Sequence, residues 1–438
     1  MADMSSDARR HAILNVNLIP GGIIGSPWRR APEGGAYFST VEHYLSVARV
    51  AERGLLDAVF LADSPDLQAR DWNAPARLLD PIVAQSVVAA QTERIGLIVT
   101  ATTSYNDPYH LARQFASLAA VSHGRVGWNF VVTGGDAAAR LHSADEALPK
   151  ADRYRRAEKF VEVVTDLWDS WQPGALSADV ETGRFLDPRA IRAIAHDSKH
   201  FRVSGRFKAP PLDDGRPILI QAGASTHGVA LGARAADAVY CAHSDIDDAR
   251  RRRDEVRALA AAAGRDPDAV KLLPGLIIVL ADTEEAARRR QDELIDLIPD
   301  EVQITNLAAR LDVPIEVLEL DGPLPWDLIP ADGTVSGARA QREVLLEFVR
   351  RRNLDTRGAA RLLASGGQHV TVVGTPEQVA DHIEDWFRSG ACDGFNLMLD
   401  ELPHGLEVFV DEVVPILQRR GLFRTQYTTS TLRGHFGL

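Results

Sequence analysis

The chain has 438 residues, 45% hydrophobic and 25% charged, with a net charge of −12. Such length and balance fit a soluble globular protein with a large core, and the acidic excess argues against a nucleic-acid partner, which needs clustered basic side chains. The two cysteines, Cys241 and Cys392, lie in no Cys/His cluster, so neither a zinc site nor a disulfide framework is expected.

In chain order, strands and helices alternate. "AILNVNLI" reads as a first strand, and "TVEHYLSVARVAERG" as an amphipathic helix closed by Gly54 as its C′ residue. "DAVFLAD" is the second strand, and "PIVAQSVVAAQTERIG" a helix opened by Pro81. "IGLIVTAT" is the third strand, "DPYHLARQFASLAAVSHG" a helix ended by Gly124, and "RVGWNFVVT" the fourth strand. A long helix, "ADRYRRAEKFVEVVTDLWDSW", precedes the strand "PILIQAG" and its helix. "DAVYCA", "KLLPGLIIVL", a helix from Thr283 to about Leu297, and "GFNLMLD" complete the series. The helix "GTPEQVADHI" begins with a capping box, Thr375 at N-cap and Gln378 at N3.

The strands are apolar on both faces, as buried parallel strands are. Eight of them alternating with helices predict one α/β domain over residues 1–438, a (β/α)8 TIM barrel with insertions. The segments of about 172–216 and 298–374 read as those insertions. The N-terminus carries no apolar signal core and no run is long enough to span a membrane, so a cytoplasmic location is expected.

In such a barrel the reactive groups gather at the C-terminal ends of the strands. Polar residues recur there: Asp63 after the second strand, Thr100 and Thr102 on the third, Asn129 on the fourth, and the small-residue turn Gly223–Ala224–Ser225 after the fifth. A strand, a small-residue turn and a helix start can hold an anion, because unpaired N–H groups point outward there; Ser225 or Thr226 could equally be a plain N-cap. Each of the others has an ordinary structural reading too. Other chemistries fail. "GASTHG" misses the nucleophile-elbow pattern at His227, no metal-protease, P-loop or dinucleotide motif occurs, and nothing in the spacing pairs His110, His123 or His142 with a nucleophile. Polar strand ends without a protein-borne catalytic motif point to chemistry carried by a cofactor.

The stretches "SPWRRAP", "HYLSVARVAERGLLDAVFLAD", the block from Thr92 to Thr133, "DRYRRAEKFVEVVTDLWDSW", "HFRVSGRF" and "PILIQAGAS" resemble the bacterial luciferase-like flavin monooxygenases. Within them the chain is similar to the branch of nitrilotriacetate, EDTA and dibenzothiophene-sulfone monooxygenases. The resemblance implies a luciferase-like barrel that uses reduced FMN, delivered by a separate NAD(P)H:flavin reductase. It also implies O2 as co-substrate, a flavin (hydro)peroxide as oxygenating species, cleavage of a C–N or C–S bond, and a homodimer or homotetramer. It assigns Asp63, Thr100 or Thr102, Asn129, Tyr154 and the Gly223–Ala224–Ser225 turn to the flavin site, the turn to its phosphate, and Asn129 and Tyr154 as candidates near the chemistry. Lys150 stands where relatives often have His; it can meet a phosphate as a point charge but is no neutral imidazole. Tyr154 also shares a helical stripe with Ala157, Val161 and Val164, which is the pattern of plain core. Trp28, Phe38, Trp72 and Trp326 are candidates for an apolar substrate pocket, with Arg29 or Arg30 for an anionic substrate group, and residues 298–374 for a lid. A deazaflavin-dependent oxidoreductase, a non-catalytic flavin-binding relative and a Ser225-based hydrolase are the rival readings.

Overall fold

A computed structural model describes residues 11–438, apart from 33, 68–71, 213, 224, 244, 331–338 and 368, with the backbone alone at 339–341. The strands are β1 (Ile13–Asn17), β2 (Ala58–Leu61), β3 (Gly96–Thr102), β4 (Val126–Val131), β5 (Leu176–Asp179), β6 (Arg184–Leu186), β7 (Ala193–Asp197), β8 (Arg202–Arg206), β9 (Ile218–Ala222), β10 (Ala238–Cys241), β11 (Lys271–Leu280), β12 (Val370–Gly374) and β13 (Gly394–Leu399). The helices are α1 (Val41–Arg53), α2 (Pro81–Ala90), α3 (Pro108–Val121), α4 (Asp136–Leu141), α5 (Lys150–Trp168), α6 (Thr226–Ala235), α7 (Ile246–Ala262), α8 (Glu284–Asp296), α9 (Asp300–Leu311), α10 (Arg339–Arg352), α11 (Thr356–Ala364), α12 (Pro376–Arg388), α13 (His404–Val408), α14 (Val414–Arg419) and α15 (Leu432–His435).

Parallel pairing runs β10-β9-β4-β3-β2-β1-β13-β11, and β10 also pairs with β11, which closes an eight-stranded barrel. All eight expected strands form it. Alternation along each strand divides the side chains. Leu14, Val16, Val99, Trp128 and Leu219 pack outward against the helices. Ile13, Phe60, Ile98, Ile220 and Leu273 fill the lumen, where Leu432 and Phe436 of the C-terminal segment join them. Gly96 and Gly127 make room for that plug: a Cβ at either would come within 2.4 and 3.1 Å of the Leu432 side chain. The N-terminal end of the barrel is thus sealed with hydrocarbon, and the polar groups are left at the other mouth.

One buried cation ties the outer layer together. Arg125 donates from Nε to the Ser122 carbonyl, from Nη1 to Thr92 Oγ1 and the Ile95 carbonyl, and from Nη2 to the Ala89 and Thr92 carbonyls, at 2.7–3.0 Å. All five guanidinium donors are engaged, joining the end of α2, the start of β3 and the turn before β4.

Three features depart from expectation. Gly54 has φ −79°, and it is Leu55, at φ 62°, that takes the left-handed position after α1. Gly54 is instead a site of close approach, since a Cβ there would lie 2.4 Å from Val410 Cγ2. Second, two antiparallel hairpins, β5–β6 and β7–β8, separate α5 from β9. Third, β12 is an extra strand: β10 leaves the flank of β11 at Pro274, and β12 takes it over from Leu276 onward. Helices α9 to α11, between β11 and β12, carry their own apolar cluster around Leu307, Leu311, Leu345 and Val349. Among the described residues no helix is long and apolar enough to cross a membrane.

Candidate functional site

Thr100 and Asn129 lie opposite each other in the β3–β4 register, on the lumen face. Asn129 Nδ2 donates to Thr100 Oγ1 at 2.8 Å, while Asn129 Oδ1 is buried without a partner among the described residues. A buried acceptor left open in this way is costly unless something else completes it. Thr102 sits nearer the rim, where its Oγ1 accepts from Thr133 Oγ1 at 2.8 Å and from the Ser104 N–H at 3.1 Å.

The turn after β9 is held by the helices on either side of it and by Gln221 at the end of β9. Ser225 is the N-cap of α6: its Oγ accepts the Gly228 N–H at 3.2 Å. Tyr154, reaching over from α5, places its hydroxyl 3.1 Å from Ser225 Oγ, and its ring lies 5.4 Å from that of His227. Tyr154 is therefore both things at once, a half-buried ring packed on the core and a hydroxyl delivered to the turn. The glycines are tight. A Cβ at Gly223 would meet Gln221 Nε2 at 2.7 Å, and one at Gly228 would meet Gln221 Nε2 and the Tyr154 hydroxyl at 3.3 Å. Gln221, turned to the helix side and 1% exposed, is a brace for the turn that no motif had marked. Ala224 lies outside the described residues. Lys150 is exposed at the start of α5, one turn before Tyr154 and on the same face.

Asp63 follows β2 at the same mouth. Its surface is exposed on one side, yet the protein on the others displaces enough water to push its carboxyl up to about 6. The Ser64 N–H and the Arg77 charge oppose that rise, and Asp80 adds to it. The Tyr44 hydroxyl, within reach of the Arg77 and Asp63 charges, is buried and unpartnered among the described residues.

Four more lumen groups belong to the polar ring and went unread in the sequence. Asn15 Nδ2 donates to the Tyr240 hydroxyl at 3.0 Å. Asn15, Asn17 and Asn396 each bury an Oδ1 with no partner among the described residues. The period of two that singles out Thr100 and Thr102 also picks out Asn15 and Asn17; Asn396 stands alone in its strand.

The proposed pocket residues separate. Trp28 and Trp72 line a common cavity of about 240 Å3 with Gly25, Asn73 and Pro299. Phe38 is buried beside His43, 5.1 Å between ring centroids, and under Gly21 of the first loop. Trp326 belongs to the α9–α11 unit, 38% exposed, with the Arg350 guanidinium 4.6 Å from its ring centroid, and does not line that cavity. Arg29 donates to the Leu297 carbonyl and Arg30 pairs with Glu293 at 3.6 Å, so both cations are already engaged. His110, His123 and His142 are all exposed.

The luciferase-like monooxygenase family profile matches residues 23–393, and the chain belongs to that family. It is a flavin-dependent monooxygenase by class. It is 39% identical over 427 residues to N-acetyl-S-(2-succino)cysteine monooxygenase of Bacillus subtilis (strain 168), covering 97% of this chain and 96% of that one. To nitrilotriacetate monooxygenase component A of Aminobacter aminovorans it is 39% identical over 411 residues, 91% and 90% of the two chains. The structure of a riboflavin lyase with modified FMN and riboflavin superposes with a TM-score of 0.83 at 29% identity, covering 98% and 96%.

Proposed function

We propose that this chain is the oxygenase of a two-component system, using reduced FMN from a separate NAD(P)H:flavin reductase and O2 to oxygenate a small organic substrate with C–N or C–S cleavage. The observation that carries the reading is the Ser225–Tyr154 pair at the first turn of α6, one strand from the open Asn129 acceptor. The residues present suit FMN. The first-turn N–H groups, Ser225, Tyr154 and the Lys150 charge would hold its phosphate, with Gly223 and Gly228 keeping the cradle shallow. Asn129 Oδ1, which only accepts, would take a ring N–H and thereby orient the flavin.

Reduced flavin, when bound, supplies the electrons that activate O2. The chain's own part is positioning and exclusion of water. The hydrocarbon floor of the lumen blocks solvent from below, and residues 298–374 are the candidate lid from above. A relative named as component A, and a structural neighbour holding modified FMN, support the reading.

The test is an anaerobic titration with reduced FMN, oxidised FMN and a deazaflavin, followed by admission of O2. Preference for reduced FMN together with O2 consumption is expected. Preference for the deazaflavin, or no flavin binding, overturns it.

A further inference from the structure

The seam where β12 replaces β10 beside β11 brings together two histidines outside the flavin-site residues. Cys241 is level with Pro274 and Val370 with Leu276, so His243, two residues past β10, and His369, just before β12, converge on one flank of β11. His369 reaches inward. A Cβ on lumen-facing Gly275 would lie 2.6 Å from His369 Nδ1 and 2.7 Å from Met398 Cε. His369 Nδ1 is buried and has no partner among the described residues. His243 is backed by a carboxylate: its Nδ1 is 2.9 Å from Asp248 Oδ2. A carboxylate only accepts, so Nδ1 carries the proton and Nε2 is left as the basic nitrogen. That Nε2 is buried and likewise unpartnered among the described residues. Asp248, 39% exposed, meets solvent and pairs through Oδ1 with Arg251 at 3.2 Å.

We propose that His369, His243 and Asp248 form a proton relay linking the barrel mouth to bulk solvent. This rests on the mouth being the reaction site. A proton from the mouth forms an N–H bond at His369 Nδ1 as the bond it leaves breaks. The Nε2 proton of His369 passes through one bridging water to His243 Nε2. The Nδ1 proton of His243 then moves to Asp248 and on to water. No electrons are gained or lost, and the same path run backwards brings a proton in. A closed site needs such a path, because formation of a carbonyl from an oxygenated carbon releases a hydroxyl proton, and oxidation of anionic reduced flavin to FMN and H2O2 takes one up.

The environment suits a proton held in transit. Burial lowers the affinity of His243 for a second proton, and Asp248 and Asp245 oppose that while Arg252 adds to it. Burial, reinforced by the His243 charge, takes His369 down to about 4. Neither imidazole therefore stores the proton near neutral pH.

Two measurements test the relay. In flavin-free protein with 15N-labelled histidine, NMR should find His243 as the Nδ1–H tautomer, and Asp248→Asn should change that tautomer and lower its pKa, while His369→Gln should raise it. In protein loaded with reduced FMN and mixed with O2, a pH indicator follows proton uptake alongside flavin oxidation. His243→Gln, His369→Gln and Asp248→Asn should delay uptake about tenfold or more at unchanged FMN affinity. Asp248→Asn alters a partly exposed group and guards against a folding defect in the histidine variants. Uptake keeping pace in all three variants, or an Asp248→Asn tautomer like wild type, overturns the relay. Failure of the wild type to bind reduced FMN would instead overturn the flavin reading, with the NMR result still deciding the histidine–carboxylate coupling on which the relay depends.

Discussion

At the scale of single residues, Ser225 serves two ends with one oxygen: it caps α6 and meets the Tyr154 hydroxyl. The two roles can be separated. Ser225→Ala should cost about 1 kcal/mol of stability through the lost cap, and should also weaken FMN binding, both read from a thermal melt and a flavin titration. Tyr154→Phe leaves the cap intact, so it should weaken binding with little change in melting temperature. Asp63 makes a pH prediction. Its folded pKa lies above the ordinary carboxylate value, so the folded chain binds more protons than the unfolded one between about 4 and 6. The favourable contribution is complete below that window and is lost as pH rises through about 6. Asp63→Asn should therefore raise the melting temperature relative to wild type at pH 8 and give no such gain at pH 4.

At the scale of elements, the block from Thr92 to Thr133 is distinctive in sequence because it carries α3, β3, β4 and the Arg125 hub that joins them. Lysine keeps the charge but not the planar fork, so Arg125→Lys leaves several buried carbonyls unpaired. At roughly 1 kcal/mol or more for each, a loss of about 3 kcal/mol is expected from denaturant unfolding. The helix starts at Pro81, Ser225, Thr283 and Thr375 were legible because a cap is a local contract among four residues. The end of α1 was misread for the same reason in reverse. A glycine after a helix signals a left-handed turn locally, but Gly54 is small because Val410, far along the chain, leaves no room for a Cβ.

At the scale of the whole molecule, the hydrocarbon plug at one end of the barrel and the polar ring at the other give it a single polar mouth. The α9–α11 unit has its own apolar cluster, and Gly366, just beyond it, passes over lumen-facing Ile277 and Ile23 of the first loop. Replacing residues 300–364 with a short Gly/Ser linker should raise H2O2 release per O2 consumed while leaving reduced-FMN binding in place. Unchanged coupling of O2 to product would remove these helices from the lid. Val83, Val87 and Val121 are exposed on α2 and α3, and a homodimer or homotetramer that covers them is the proposed assembly, to be measured by sedimentation.

The sequence by itself determined the eight barrel strands, their order and the helices between them. Hydrophobic period and caps are encoded within ten or so adjacent residues, and eight buried strands separated by helices have few ways to close. It also marked Asp63, Thr100, Asn129 and Ser225 as polar groups at strand ends, because position along a parallel strand fixes which mouth a residue occupies. Only the tertiary structure decided what those groups touch: that Tyr154 crosses to Ser225, that Gln221 braces the turn, that Trp326 stands apart from Trp28, that His369 reaches Gly275, and that His243 and His369 flank the same side of β11. Apart from the Gln221 brace, which is local but needs the turn's own geometry, these relations involve residues dozens to hundreds of positions apart, and no local pattern specifies a neighbour at that distance; closure of the barrel does.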